Sequence, residues 1–223
     1  MSQFYEYNLP APNPNGIANF QASFANKPLI LNGSYVSQVT NQINFLDFGI
    51  VPRITLTSLQ NQSAINFVIN GYQNGAFISE TLGGPNANTV TSINCFDSIQ
   101  SIVASAATAG NTTIQAGVSA VGYFPVILLN TQKSNTSFIN YSLNLVAAAI
   151  NPASYQIFLS LKNNLGKGKY DDLTSAANGD FVATGAASTA SQVIQGNSLA
   201  QNLLVKITAN NNGSTLKFQL LQL

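Results

Sequence analysis

Residues 65–82 run I-N-F-V-I-N-G-Y-Q-N-G-A-F-I-S-E-T-L. Ile65, Phe67 and Ile69 alternate with other residues, and after a break of Asn and Gly the alternation restarts with Ile78 and Leu82. Period two over short runs marks half-buried strands. The pattern extends outward on both sides. Upstream, R-I-T-L-T-S places Ile54 and Leu56 two positions apart; downstream, T-V-T-S-I-N-C-F-D-S-I-Q-S-I-V-A carries the chain to Ala104. Asn70-Gly71, Asn74-Gly75 and Gly83-Gly84-Pro85-Asn86 supply turn chemistry, positive φ from Gly and Asn and a preset φ from Pro. Connections this short join antiparallel strands, because a parallel crossover needs a dozen residues or more. A short helical turn over Phe96 to Ile99, capped by Asp97, is expected before the last strand.

The same signals recur along the chain. Leu29 to Leu31 and Tyr35 to Phe48 open the regular structure. Tyr141, Leu143 and Leu145 alternate, as do Tyr155, Ile157, Leu159 and Leu161. Leu203, Val205 and Ile207, then Asn210-Asn211-Asn212-Gly213, then Leu216, Phe218 and Leu220 read as a hairpin. A polar run, N-T-Q-K-S-N-T-S, follows Phe124–Leu129 and suggests a domain boundary. Residues 163–179 and 185–191 read as loops. The fold class expected is all-β: two small antiparallel β-sandwich or barrel-like domains, 29–130 and 131–223, preceded by an extended N-terminal arm, 1–28. Pro10, Pro12 and Pro14 in that arm disfavour sheet pairing. Its aromatic residues Phe4, Tyr5, Tyr7, Phe20 and Phe24 are candidate partner-binding anchors, on a neighbouring subunit or on the chain's own body.

Composition narrows the function. Charged residues are 7% of the 223, and the net charge is +1. No basic cluster exists to displace counterions, which argues against nucleic acid. Weak charge leaves copies free to associate. The apolar share of 45% with clear alternation argues against disorder. No apolar run reaches membrane-spanning length, and the opening M-S-Q-F-Y-E-Y-N-L-P lacks a signal-peptide pattern, so neither a membrane nor Sec export is expected.

The chain has no histidine, which removes Ser-His and Cys-His nucleophiles and His-ligated metals. Cys95, the single cysteine, reads as a small buried hydrophobe. Asp171, Asp172 and Asp180 could offer oxygen ligands to Ca²⁺, but their spacing is not that of an EF-hand, and a solvated loop is the better reading. Gly166-Lys167-Gly168-Lys169 lacks P-loop spacing. No catalytic residue, metal site, cofactor or small-molecule ligand is therefore expected, and the chain reads as non-enzymatic. Glu80 shares the parity of Ile78 and Leu82, so its carboxylate faces the apolar side, where it needs a partner. Arg53 is the only arginine, and a structural ion pair between Arg53 and Glu80 is expected.

Several stretches also resemble a block found in virion structural proteins of tailed bacteriophages. They are R-I-T-L-T-S, I-N-F-V-I-N-G, G-A-F-I-S-E-T-L-G-G-P-N-A-N-T-V-T-S and F-D-S-I-Q-S-I, then N-Y-S-L-N-L and L-L-V-K-I-T-A-N-N-N-G-S-T-L-K-F-Q-L-L-Q. The sequence departs from that pattern at Lys206, where arginine is expected. The resemblance implies an accessory head component, a capsid decoration or cement protein that forms homo-oligomers and contacts the major capsid protein on the virion surface after synthesis in the host cytoplasm. The alternative it leaves open is a tail- or fibre-associated receptor- or glycan-binding module.

Overall fold

The computed structural model describes residues 2–8, 12–73, 75–108, 113–123, 127–128, 139–147, 154–160, 182–183, 186–198, 202–209 and 215–222. The fold is all-β and antiparallel, 60% strand and 3% helix, with sandwich and barrel-like character. Among the described residues the strands are β1 (Ser2–Asn8), β2 (Asn13–Gln21), β3 (Ile43–Asn44), β4 (Val51–Thr57), β5 (Asn66–Gln73), β6 (Ala76–Gly83), β7 (Thr89–Cys95) and β8 (Ser98–Ala104). They continue as β9 (Ile114–Tyr123), β10 (Ile127–Leu128), β11 (Ile139–Ala147), β12 (Ser154–Ser160), β13 (Val182–Ala183), β14 (Gln192–Ser198), β15 (Asn202–Ala209) and β16 (Thr215–Gln222). A 3₁₀ turn, Phe45–Phe48, precedes β4.

The chain divides into two compact units. The N-terminal unit comprises Pro12–Asp47 and Val51–Ser119; the C-terminal unit comprises Met1–Ala11, Phe48–Ile50 and Ala120–Leu223. The boundary lies within β9, upstream of the polar run at 130–137 that suggested it. That run is outside the described residues.

In the N-terminal unit, β3, β8, β5 and β6 form one sheet in that order. β5 and β6 are a hairpin, in register from Asn66↔Gly83 to Gln73↔Ala76. β4 passes over this hairpin in sequence and pairs with β7. The stretch 53–104 is thus split between two ladders and is not a simple meander. Phe67 and Ile69 of β5, Ile99 and Ile102 of β8, and Ile54 and Leu56 of β4 are each no more than 2% exposed. Burial of such side chains contributes about 1.5–3 kcal/mol each. Tyr35 packs edge-on against Phe45, with centroids 5.6 Å apart.

Asn70-Gly71, expected as a turn, lies inside β5 at a register shift against β8. Glycine is needed there because a Cβ would run into the Ser98 carbonyl and the Phe96 ring. The turn itself sits at Gly75, with φ 74°. The helical turn expected over Phe96 to Ile99 does not form. The Asp97 N–H donates to the Tyr72 carbonyl and the Asp97 carbonyl accepts from Phe45 N–H, at 2.7 Å each, which holds the segment extended into β8.

In the C-terminal unit, β1, β16, β11 and β14 form one sheet in that order, and β13, β12 and β15 are neighbours in another, with β10 also on β15. The expected hairpin between β15 and β16 is corrected: β15 pairs with β12, β10 and the end of β9, while β16 pairs with β1 and β11. Turn residues announce a reversal but do not say which ladder each arm joins. Tyr155, Phe158, Leu203, Leu204 and Val205 are buried, on both faces of β12 and β15. The Tyr155 hydroxyl donates to the Ala190 carbonyl at 2.6 Å. Lys206, at the position where arginine was expected, sets its ammonium 5.9 Å from the Tyr123 ring centroid.

The N-terminal arm is also corrected. Residues 2–8 are a sheet strand, and residues 13–21 are a second strand that runs beside β9 with register shifts. The prolines cluster between the two strands and at the irregular start of β2. An irregular edge strand tolerates them, as a regular interior strand does not. Ile17 and Ala18 of β2 are fully buried, so this part of the arm belongs to the core.

Candidate functional site

Among the described residues no group of His, Cys, Asp or Glu is placed to hold a metal. No helix among them is long and apolar enough to cross a membrane. Asp171, Asp172, Asp180 and the 166–169 stretch lie outside the described residues. Cys95 is fully buried.

The best-formed candidate is the outer face of β8, β5 and β6 in the N-terminal unit. Alternation creates it. Phe67, Ile69, Gly71 and Gln73 of β5 turn inward and are buried, so Val68, Asn70 and Tyr72 are left on the other face. Register then arranges the face in three rows. Val103, Val68 and Thr81 lie side by side, then Ser101, Asn70 and Ser79, then Tyr72 beside Phe77. The middle row is hydrogen-bonded across all three strands. Asn70 Nδ2 donates to Ser101 Oγ at 3.0 Å, and Ser79 Oγ donates to Asn70 Oδ1 at 2.9 Å. These bonds fix the amide and hold the strands in register. In the last row Tyr72 and Phe77 meet edge-to-face at 5.8 Å, and Gln100 Nε2 donates to the Tyr72 hydroxyl at 3.3 Å. Phe77 is 56% exposed. The face carries no charge. It can therefore contact a neutral surface through aromatic and aliphatic area with no ion to desolvate.

On the inward side, Glu80 is half-buried as its parity implied, but its partner is not Arg53. Oε1 accepts the Ile93 N–H at 2.7 Å and Oε2 accepts the Asn94 N–H at 2.8 Å. Two consecutive amides can face one carboxylate because β7 bulges there: Arg53 pairs with Cys95 but Thr55 pairs with Thr91. Ser92 fills the bulge, accepting the Ile54 N–H at 2.8 Å and donating to the Asn94 carbonyl at 2.7 Å. Backbone amides thus satisfy the carboxylate, and the expected Arg53–Glu80 ion pair does not form. Arg53 is half-buried, and its Nε has no hydrogen-bond partner.

The five aromatic anchors are dispersed. Phe24 is 61% exposed beside a chain reversal in which Lys27 N–H donates to the Phe24 carbonyl. Phe20 is half-buried in β2. Phe4, Tyr5 and Tyr7 lie in β1 opposite Gln219, Phe218 and Leu216; their side chains are outside the described residues. Sequence reasoning missed the uncharged face. Its signal was present in the second parity of β5, the residues between the apolar ones.

No protein-family pattern, curated protein or solved structure matches this chain.

Proposed function

We propose that the chain is a non-enzymatic structural protein of a tailed-bacteriophage virion, acting as a homo-oligomeric decoration or cement protein on the head and contacting the major capsid protein. The observation that carries this reading is the uncharged outer face of β8, β5 and β6, borne on a chain whose strand and turn motifs resemble those of virion proteins. A cement protein works by area and by number. Each copy covers a seam with a patch of modest affinity, and many copies add their effects. A neutral face suits that task, since salt would not screen it as it screens a charged one. Val39, Leu59 and Ile93, each at least 65% exposed, add apolar area elsewhere on the N-terminal unit.

Purified protein should bind heads of the phage that encodes it in hundreds of copies and raise the temperature at which they lose DNA. Phe77→Asp, on an exposed position, should remove binding while leaving the unfolding midpoint nearly unchanged. Unimpaired binding by that variant would sink the role of this face; a handful of copies confined to the tail would sink the head assignment.

The Tyr72–Phe77 pair beside the Asn70 and Gln100 amides supports a second reading, a tail- or fibre-borne module for neutral glycans, in which an aromatic ring stacks on a sugar while amides bond its hydroxyls. A glycan array separates the two: saturable binding lost in Tyr72→Ala favours the tail module.

A further inference from the structure

Among the described residues, β1 is held by a single ladder, to β16, from Ser2↔Leu221 to Asn8↔Thr215. It belongs with the C-terminal unit, whereas the next strand, β2, belongs with the N-terminal one. We propose that β1 is an exchangeable strand: the edge of β16 accepts β1 from a second copy of this chain in the register that it has within one chain. The proposal stands apart from the virion reading and holds or fails without it.

Three observations carry it. The first is charge. Glu6 is the only acid in β1 and Lys217 the only charged residue in β16, and the register sets them opposite each other. A slip of two residues, which keeps each strand's faces, would set Glu6 against Thr215 or Gln219 instead. The register also sets Tyr5 opposite Phe218 and Tyr7 opposite Leu216, and aromatic and apolar residue types at facing positions suit adjacent strands. This complementarity is the same whichever copy supplies β1, so the natural occupant of the edge is another β1.

The second is the persistence of the acceptor. β16 is paired along its other side with β11, from Tyr141↔Gln222 to Ala147↔Leu216. It therefore stays a strand when β1 leaves, and its edge then presents unpaired N–H and C=O groups, a template for an incoming strand.

The third is the tether. Between Asn8 and Asn13 the sequence is Leu9-Pro10-Ala11-Pro12. Proline fixes φ and pushes the residue before it toward extended geometry. A short stiff link favours exchange between copies over folding back, and exchange costs little because the same bonds form in both arrangements.

The test mixes two full-length chains by co-expression. One carries Tyr5→Cys and the other Phe218→Cys; a second set carries Phe4→Cys and Gln219→Cys. Successive antiparallel pairs alternate between Cα separations of about 5.5 and 4.5 Å, so at least one set lies within disulfide reach. The expected result is a disulfide-linked heterodimer on mild oxidation, absent when either chain is expressed alone. The control is a chain that carries both cysteines of a set; no linked heterodimer in either set, with an intrachain disulfide in these double-cysteine chains, overturns exchange. Failure of the double-cysteine chains to cross-link as well refutes the register and the proposal with it.

Charge reversal checks the result without cysteine. Glu6→Lys and Lys217→Glu chains each carry a like-charge pair when β1 folds back, and opposite charges are restored only between the two chains. Native mass spectrometry of the co-expressed pair should show heterodimer in about tenfold excess over either homodimer. A statistical mixture, or monomers alone, overturns the proposal.

Discussion

The Ser92 hydroxyl occupies a place in the β4–β7 ladder that a backbone carbonyl would otherwise fill: it accepts the N–H of Ile54 at 2.8 Å. Ile54 is fully buried, so this N–H has no access to water. Ser92→Ala leaves it unsatisfied and frees the Asn94 carbonyl as well. The expected loss is about 1–3 kcal/mol of stability, read as a lower urea midpoint with an unchanged slope. An unchanged midpoint would show that the bulge closes without the hydroxyl.

Glu80 of β6 completes the same bulge, and its substitution separates two accounts of its partner. Glu80→Gln keeps one acceptor oxygen and turns an NH₂ group toward the second amide. The expected cost is about 1–3 kcal/mol. Arg53→Met removes an unpartnered Nε and should change stability by less than about 1 kcal/mol. The Arg53/Glu80 double-mutant cycle should give a coupling below about 0.5 kcal/mol. A coupling of 2 kcal/mol or so, as for a broken buried ion pair, would restore the salt bridge.

Gly71→Ala should be among the more damaging small changes in the N-terminal unit. The added methyl meets the Ser98 carbonyl at the β5–β8 register shift. A loss of about 1–3 kcal/mol is expected, the usual cost of overpacking. Gly83→Ala is the matched control, because a Cβ at Gly83 meets nothing within 4 Å.

Stability should fall on the alkaline side. Burial raises the pKa of Tyr35 above its ordinary value of 10.0. The folded state therefore holds this proton more tightly than the unfolded chain does. The associated stability is fully present below pH 10 and is lost as pH rises through the folded-state pKa. Tyr155 shifts the same way, chiefly through burial and in part opposed by its hydrogen bonding to Ser188. Thermal unfolding between pH 8 and 11.5 should show the decline, and Tyr35→Phe should flatten part of it. An equal slope in the variant would remove Tyr35 as a source.

Individual strands were legible because burial on one face writes itself as period two. Phe67 and Ile69, Tyr155 and Ile157, and Leu203 and Val205 all lie in strands where alternation placed them. Pairing was far less legible. Asn70-Gly71 carries turn chemistry yet lies within β5, since glycine serves a bulge as well as a turn. Residues 202–222 look like one hairpin, but their two strands join different sheets, a choice made by long-range contacts that leave no local mark. Glu80 announced that it needed a partner but not which. Backbone amides, which every residue but proline carries, are invisible to a search for opposite charge. The uncharged face was hidden for a related reason: hydroxyls, amides and a tyrosine on a strand read as ordinary solvent-facing residues until register gathers them.

The β1–β16 ladder joins nearly the earliest-made described segment to the latest-made one, and this gives the two units different timetables during synthesis. Every strand wholly within the N-terminal unit has been made once the ribosome passes residue 119, so that unit can fold on the nascent chain while later residues are added. The sheet of the C-terminal unit cannot close until Thr215–Gln222 has been made, and β1 waits through the translation of everything between. Long-range pairing of this kind is slow even in a finished chain. Neighbouring ribosomes on one message would hold many such waiting strands within reach of one another, so the crowding of the polysome, as well as the sequence, sets which β16 each β1 meets first.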